Sequence, residues 1–406
     1  MGGILKLRKL QFGKEVTAGT GVLPTALYRG TGSIKNKTEV VHPPENVGYL
    51  SPVNRGYIPK ISGGVDLDDV EATFEQLPYL LEMGVKKIGG GVKDGAGSGY
   101  VYAYTLPTTA ENTIQTMSVE GGDNQEMVKG TYAFAEEITI SGKSGEGVKM
   151  SASLVMRQAL PNKLTASTLA FVAASKKITD SANGLAGFTT GMRITVSGTT
   201  SNDGTYTVAT GGVAGEIVVS ETLVNESAGT AFTVAQTFTA VALATVEEIL
   251  FQKGKLYIDA VGGTLGATQK SSTFMDFELK ITTGWKARFT GDGSLYFTRA
   301  AAGVPQAMLD VTFEHDGSAV SEKDAWLAKT PRKIRIGVDG NALATAGTSY
   351  STKKLMVDIA GMWDSFDTLD EVDGNDVVKG TFAGAYDATA SLFCTVTVVN
   401  ELSALV

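Results

Sequence analysis

The sequence predicts a mainly β protein made of several sandwich or barrel domains. Glycine supplies 49 of the 406 residues, well above the usual ~7%, whereas there are only 10 prolines. Hydrophobic residues make up 43% of the chain, enough to form cores, and charged residues only 19%. Apolar residues alternate with polar ones in many short runs that end at glycine, asparagine or serine. This pattern favours short strands joined by turns over a helical enzyme, and the length favours two or three domains of ~100–200 residues.

The charge balance and the scarcity of cysteine and histidine exclude several functional classes. Lys and Arg number 35 against 43 Asp and Glu, and the net charge of −8 disfavours a surface that grips nucleic acid. Cys394 is the only cysteine, so an intramolecular disulfide framework and a cysteine-based zinc site are excluded. We predict that Cys394 is a small buried residue of a strand. His42 and His315 are too few for a multi-histidine metal site.

The sequence carries no recognisable targeting signal. The first ten residues lack the apolar segment of a signal peptide, and Lys6 stands where the myristoylation motif needs Ser or Thr. No apolar run reaches the ~18 residues of a transmembrane helix. We therefore expect a chain that is made and folded in a cytoplasm and does not bind a membrane.

Residues 1–50 predict an extended N-terminal arm. The segment has turn signals and little periodicity, so it cannot form a core by itself. It nevertheless holds too many apolar side chains for a solvated tail. We expect these residues to pack on a partner: Leu23, Leu27, Tyr28, Val40, Val41, Tyr49 and Leu50. Removal of residues 1–50 should then leave a folded chain that no longer assembles.

Residues 51–162 predict a first β-domain with one short helix. Thr73 and Gln76 have the spacing of a capping box, Pro78 suits the first helical turn, and Gly84 suits the helix end. Strands are predicted at 58–67, 100–104 and 114–119, followed by a long hairpin, 126–140 with 148–156, that turns at 141–147.

Residues 163–237 predict a separate, inserted all-β domain of the immunoglobulin-like kind. The range is rich in Thr, Ser, Ala and Gly and holds only four basic residues. Its clearest signal is strand 194–197, a turn of Asn, Asp and Gly at 198–204, and strand 205–208.

Residues 238–406 predict a second copy of the first β-domain. Residues 128–133 (VKGTYA) match residues 378–383 (VKGTFA) at an offset of 250, and in both copies a strand and a short helix come earlier. The second helix is predicted over 321–329, with Ser321 as its N-cap and Pro331 after its end. The order of elements therefore indicates an internal duplication.

Candidate motifs for chemistry fail on inspection. Gly142-Lys143-Ser144 lacks the upstream glycine of a phosphate loop, and the glycine-rich run 95–99 is out of register for a dinucleotide fingerprint. Asp66, Asp68 and Asp69 do not continue into a calcium loop. An acid-rich stretch at 358–376 leaves a catalytic carboxylate pair open, although a solvated or pore-facing surface is favoured. We expect no catalytic residues, no cofactor and no metal.

Three stretches carry a resemblance to a known family. Residues 12–20 (FGKEVTAGT), 27–30 (LYRG) and 39–45 (EVVHPPE) resemble the N-terminal region of tail tube proteins, also called major tail proteins, of long-tailed, non-contractile bacteriophages (siphophages). Residues 71–82 (EATFEQLPYLLE) extend the likeness. The resemblance covers roughly residues 8–157 and, through the repeat, 238–406; the inserted domain looks like the small β-domains found in many virion proteins.

The resemblance implies a structural virion protein of the tail, assembled in the host cytoplasm. Tube domains of this family close into rings around a channel, and the rings stack into the tube through which DNA is ejected. An acidic wall would let DNA slide without binding, and Asp66, Asp68 and Asp69 are candidates to face it. The apolar residues of the arm would contact the next ring.

The resemblance also implies partners and a stoichiometry. The family usually has one tube domain per chain and six chains per ring, so two copies per chain imply three chains with pseudo-sixfold symmetry. A ring of six chains is the alternative. Tape-measure, tail-terminator and tail-tip proteins would be the other partners.

Two other functional classes compete with this reading. A secreted or surface adhesion protein built from β-sandwiches would carry a signal peptide and aromatic or metal-bearing binding loops. An enzyme such as a glycosidase would need a pocket with two carboxylates of perturbed pKa.

Overall fold

The computed structural model describes residues 2–50 and 55–405 and confirms the predicted mainly β fold. The chain forms two large β-domains, here called the first half and the second half, and a small module between them. The first half contains β1 (Lys9–Lys14), β2 (Ala26–Tyr28), β3 (Gly32–Asn36), β4 (Gly63–Glu71), α1 (Leu77–Gly84), β5 (Val92–Lys93), β6 (Tyr100–Thr105), β7 (Met117–Gly122), β8 (Met127–Lys143) and β9 (Lys149–Met156). The module contains β10 (Lys163–Ala166), β11 (Leu169–Val172), β12 (Lys177–Asp180), β13 (Arg193–Ser197), β14 (Gly204–Val213), β15 (Glu216–Val219) and β16 (Phe232–Thr237). The second half contains β17 (Gly254–Ala260), β18 (Gln269–Lys270), β19 (Phe274–Thr282), β20 (Lys286–Arg288), β21 (Arg299–Ala301), β22 (Gln306–Glu314), α2 (Gly317–Leu327), β23 (Arg332–Ala342), β24 (Thr352–Phe366), β25 (Asp370–Val372), β26 (Asn375–Gly384) and β27 (Cys394–Asn400).

Seven strands in each half are hydrogen-bonded in the same order. In the first half the order is β2-β1-β7-β8-β9-β4-β3. In the second half it is β18-β17-β23-β24-β26-β22-β19. The long strands β8 and β24 hold corresponding places, and each helix follows the corresponding strand, β4 or β22.

The six-residue sequence match lies on strands that do not correspond. Residues 128–133 belong to β8, whereas residues 378–383 belong to β26, whose counterpart in the first half is β9. The register that we predicted from the match is therefore wrong. A run of small, β-branched and aromatic residues suits many strands that pack on a sandwich core, so a short match does not fix the position of a strand in the sheet.

The predicted N-terminal arm is also corrected. Strand β1 lies between β2 and β7, with Leu10 opposite Gly121, and Phe12 and Tyr28 are buried in the core of the first half. These apolar side chains pack inside their own chain, because β1 pairs with β7, which is more than 100 residues away in the sequence. Residues 9–36 are thus part of the first half, and a chain that lacks residues 1–50 would lose three strands.

Both short helices are present. In the first, the Gln76 N–H donates to the Thr73 hydroxyl at 3.1 Å, Pro78 lies in the first turn, and every residue is buried. The second begins earlier than predicted: Asp316, rather than Ser321, is its N-cap, accepting from the N–H groups of Ser318 and Ala319 at 2.8 and 3.0 Å. A carboxylate at this position satisfies N–H groups that the helix leaves without partners.

The module folds around a core of its own. Its seven strands are ordered β10-β16-β13-β14-β15-β12-β11, so the first and last strands of the module are neighbours. Residues such as Ile178, Ile194 and Val234 are fully buried in a cluster separate from the core that the two halves share. Both ends of the module meet there, because the Gln236 N–H donates to the Asn162 C=O at 2.8 Å.

A buried carboxylate fixes the module to the first half. Glu120 of β7 accepts hydrogen bonds from the Gln236 side chain at 3.0 Å and from the Thr239 N–H at 3.0 Å. Burial raises the pKa of Glu120. Leu23 packs on the module core from the first half. Leu23, predicted to contact another ring, therefore contacts the module of its own chain.

Removal of the module is expected to leave the assembly of the two halves intact. We would replace residues 163–237 by a short Gly/Ser linker, which can span the gap because the ends are hydrogen-bonded neighbours, and change Leu23→Ser to avoid an exposed apolar side chain. Electron microscopy should show the same assembly with a smaller outer diameter. A folded chain that no longer assembles would instead show that the module supplies contacts between chains.

Candidate assembly surface

One sheet of eight strands runs through both halves. Its order is β3-β4-β9-β8-β19-β22-β26-β24. The two halves meet where residues 137–143 of β8 pair with residues 276–282 of β19, here called the internal seam. The Thr283 N–H donates to the Glu136 C=O at 2.9 Å, and Lys280 forms an ion pair with Glu137 at 3.0 Å across the seam.

One face of this sheet is polar along its length. Residues alternate between a buried apolar face and a face of Ser, Thr, Lys, Asp and Glu, as in Ile138, Thr139, Ile140 and Ser141 of β8. Three lysines of this face form ion pairs with carboxylates of the same face: Lys35 with Asp66, Lys280 with Glu137 and Lys379 with Asp310.

Two matching carboxylate clusters lie on the polar face. Asp66 pairs with Lys35 and accepts from the Ser153 hydroxyl at 3.2 Å, and the hydrogen bond from Lys35 lowers the pKa of Asp66. In the second half, Asp310 pairs with Lys379 at 2.6 Å and accepts from the Thr381 hydroxyl at 2.8 Å. The hydrogen bond to Asp310 raises the pKa of Lys379.

The structure separates the three aspartates that were predicted to line a channel. Asp66 lies on the polar face, but Asp68 and Asp69 lie within the shift in register between Leu67 and Val70, near the exposed end of β4. There they help burial to raise the pKa of Tyr28. Asp310 and Lys379 were missed, although the alternation of β22 and β26 was a signal that could have found them.

The acid-rich stretch at 358–376 does not form one site. Asp358 is largely buried against Arg335, with two hydrogen bonds of 2.6 and 2.7 Å. Asp364, Asp367 and Asp370 are exposed. Within the described ranges, no group of three or more His, Cys, Asp or Glu residues is placed to hold a metal ion.

The matching clusters fix the correspondence between the halves. Asp66 lies opposite Ser153, and Asp310 lies opposite Thr381, so β4 corresponds to β22 at an offset of 244 and β9 to β26 at 228. The same offset of 228 relates the bulges that follow Ala135 in β8 and Trp363 in β24. Ser33 and Glu278, which lie opposite the two aspartates, relate β3 to β19 at 245.

Both ends of the eight-stranded sheet are open. At β3, the bonds from the Lys37 N–H to the Ser62 C=O and from the Asp68 N–H to the Thr31 C=O fix which residues face β4. The backbone groups of Ile34 and its second neighbours therefore point away from the sheet. At the other end, residues 362–366 of β24 pair with β26 only, and no described strand covers their other side.

A β-ribbon of the second half packs on the first half. This second ribbon (residues 283–305) contains the hairpin of β20 and β21 and joins β19 to β22. Its Phe297 is fully buried between Tyr132 and Phe134, with ring centroids 5.0 and 5.9 Å away. Arg157 lies over the Tyr132 and Phe297 rings. The ribbon thus stabilises the association of the two halves through contacts that lie outside the eight-stranded sheet.

Phe297→Ala is expected to loosen the two halves. Loss of a fully buried aromatic side chain typically costs about 3–5 kcal/mol, and here the cavity would open between the halves. Chemical denaturation should show a lower midpoint. Phe289→Ala is the control, because Phe289 is 37% exposed on the same ribbon, and surface changes usually cost less than ~1 kcal/mol. Equal losses in both variants would contradict this role of Phe297.

A corresponding ribbon of the first half projects from the sheet. This first ribbon (residues 37–50 and 55–62 of the described chain) joins β3 to β4. It carries Val40, Val41, Tyr49 and Leu50, four of the residues predicted to contact another ring. Val40, Tyr49 and Leu50 are more than half exposed and Val41 is half-buried, whereas the other three candidates, Leu23, Leu27 and Tyr28, lie in the body of the first half.

The glycine-rich run 95–99 is a contact between the halves. Asp94 accepts from the N–H groups of Ser349 and Tyr350, and the Ser98 hydroxyl donates to Glu401 at 2.6 Å. A Cβ at Gly97 would lie 2.5 Å from the Gly347 Cα, so only glycine fits this close approach of two loops. The sequence analysis excluded a dinucleotide fingerprint at this run but did not predict its packing role.

The single cysteine is buried as predicted. Cys394 is fully covered in β27, and burial raises the pKa of its thiol to about 12. A thiol of this kind is protonated at neutral pH and is a poor nucleophile.

No described helix has the length and apolar character needed to span a bilayer. In comparisons with known proteins, no family model matches the chain and no similar curated protein is found.

Proposed function

We propose that this chain is the tail tube subunit of a long-tailed, non-contractile bacteriophage. In this role it assembles into rings, and the rings stack into the channel through which DNA leaves the virion. The observation that carries the proposal is the internal seam. The strands that join the two halves inside one chain are β8 and β19, and their counterparts are β24 and β3. Among the described residues, no strand pairs with the outer edge of β3 or with the outer edge of residues 362–366 of β24.

A second copy of the chain can continue the sheet by repeating the internal seam. Glu137 lies opposite Thr282 in the internal seam. With the offsets of 228 and 245, the equivalent pairing puts Ser365 of one chain opposite Lys37 of the next. Head-to-tail contacts of this kind close into a ring when the rotation between units permits. The ring would have three internal seams and three between chains, which is the pseudo-sixfold arrangement implied by the sequence resemblance.

The second half offers an acceptor at the equivalent position. The Glu136 C=O accepts from the Thr283 N–H in the internal seam. The equivalent Asp364 C=O accepts only the Trp326 indole N–H, at 3.0 Å, among the bonds of the described residues. A carbonyl oxygen has two lone pairs, so it can accept a second N–H from a neighbouring chain.

The polar face supports a role as the wall of a DNA channel. Lys35 and Lys379 are each paired with an aspartate, so neither is a free cation that can bind phosphates. Closing the sheet would also cover two open edges that otherwise favour aggregation. The virion tail is the corresponding location, and the tape-measure, tail-terminator and tail-tip proteins are the corresponding partners.

Electron microscopy of the purified full chain tests the proposal. We expect rings or stacked tubes with a central channel at concentrations where the edges can meet. Single particles at every concentration would contradict the tube and favour the adhesion-type alternative.

A further inference from the structure

The two ribbons are the same structural element. They connect corresponding strands, β3 to β4 and β19 to β22, and occupy 26 and 23 residues between those strands. Val41 pairs with Tyr57 in the first ribbon, and Lys286 pairs with Ala301 in the second. The offsets of 245 and 244 relate these two pairs, so the ribbons share one register.

Of the residues that the structure describes, those of the second ribbon pack on the core of the first half, whereas those of the first ribbon contact the second ribbon only near the base. Its tip reaches the base of the first ribbon, where the Ile61 N–H donates to the Leu295 C=O at 2.8 Å and Lys60 lies over the Phe289 ring. The first ribbon instead exposes apolar side chains: Val40, Val47, Tyr49, Leu50, Tyr57 and Ile58. Six exposed apolar side chains on one element are typical of a surface that contacts another protein chain.

The second half contains a cleft that could bind the first ribbon of another chain. It has a volume of about 720 Å³ and lies at the base of the second ribbon, beside the end of β26. Trp285, Val304, Met308, Tyr386 and Phe393 give it an apolar lining.

The cleft corresponds to the site where the second ribbon docks on the first half. The offset of 228 relates Phe134 to Met362 and Val155 to Ala383. Phe134 and Val155 are covered by the second ribbon. Met362 is 45% exposed and lies opposite Ala383, whose neighbour Gly384 lines the cleft. The second half therefore repeats the docking site with smaller side chains, which leaves room for an incoming segment.

We infer that the cleft binds the first ribbon of a second copy of this chain. The inference rests on the proposed function, because it adds a clamp to the seam between chains that the ring requires. Val40 corresponds to Trp285, which lies in the same cluster as Phe134, so Val40 of one chain faces Met362 of the next. The contact is between neighbours in one ring, which differs from the contact between rings expected for Val40, Val41, Tyr49 and Leu50 from the sequence.

Disulfide trapping between two variants that each gain one exposed cysteine tests the inference. One full-length chain carries Val40→Cys and the other Met362→Cys; both positions are exposed, and the natural Cys394 is inaccessible. The two chains are mixed, assembled and oxidised, and the product is separated without reductant. A control mixture pairs Val40→Cys with Val224→Cys, which is 53% exposed on the module.

The expected product is a reducible dimer of about 85 kDa, twice the 42.4 kDa of one chain. Its yield should exceed that of the control by about tenfold or more, because docked cysteines meet at a high effective concentration. If rings form but the yield of the linked dimer does not exceed that of the control, the inferred contact of the first ribbon is wrong and the proposed function remains. Failure of any assembly by electron microscopy would overturn both.

Discussion

Ile34→Pro is expected to abolish ring formation and leave a folded monomer. The backbone of Ile34 points away from β4, so proline removes a donor from the open edge without breaking a bond inside the chain. Proline is tolerated on edge strands for this reason. In the proposed register, Ile34 lies opposite Thr368 of the next chain, two residues after the end of β24, and each of the three seams between chains would lose a hydrogen bond.

Size-exclusion chromatography and circular dichroism measure the two parts of this prediction. The variant should elute as a 42.4 kDa chain with an unchanged β spectrum. Ile34→Val is the matched control, since it keeps the N–H and most of the side chain that packs on the core, and it should assemble as the natural chain does. Rings of normal size from Ile34→Pro would show that β3 is not the edge that joins chains.

Asp66→Asn combined with Asp310→Asn is expected to make assembled tubes retain DNA. The two changes leave Lys35 and Lys379 without their carboxylates, which adds six free cations to each ring of three chains. Six phosphate contacts lose about 10³-fold in affinity between 50 and 200 mM salt. DNA should therefore bind at low salt and be released steeply as salt rises, whereas natural tubes should not retain it.

A control with the same change in net charge tests whether the freed cations must lie on the polar face to retain DNA. Glu216→Gln with Glu221→Gln frees Lys177 and removes a second carboxylate, but on the module rather than on the eight-stranded sheet. These tubes should not hold DNA in a form protected from nuclease. Equal protection in the two variants would show that the polar face does not line the channel.

Local patterns predicted most elements of the fold. Alternating residues identified the hairpin of β8 and β9, and Pro78 together with Gly84 placed α1. Such signals depend on neighbours within a few residues, where backbone geometry and burial act directly. The cap of α2 was displaced to Asp316 because an aspartate before Gly317 competes with Ser321 as an N-cap, and both fit the sequence rules.

Pairings between distant segments could not be predicted from the sequence. Strand β1 joins β7, and β27 joins β6 across nearly the whole chain, with Val396 opposite Tyr104. No residue in either strand specifies its partner, because every half-buried strand offers the same backbone groups. The same limit explains the assembly surface: Asp66 was identified, but its counterpart Asp310 became evident only from the strand order.

The mass of the smallest closed assembly tests the central claim most directly. Native mass spectrometry of the full chain should give a ring of three chains, about 127 kDa from three times 42.4 kDa, with six β-domains around the channel. A closed ring of six chains, about 254 kDa, would contradict the equivalence of the internal seam and the seam between chains.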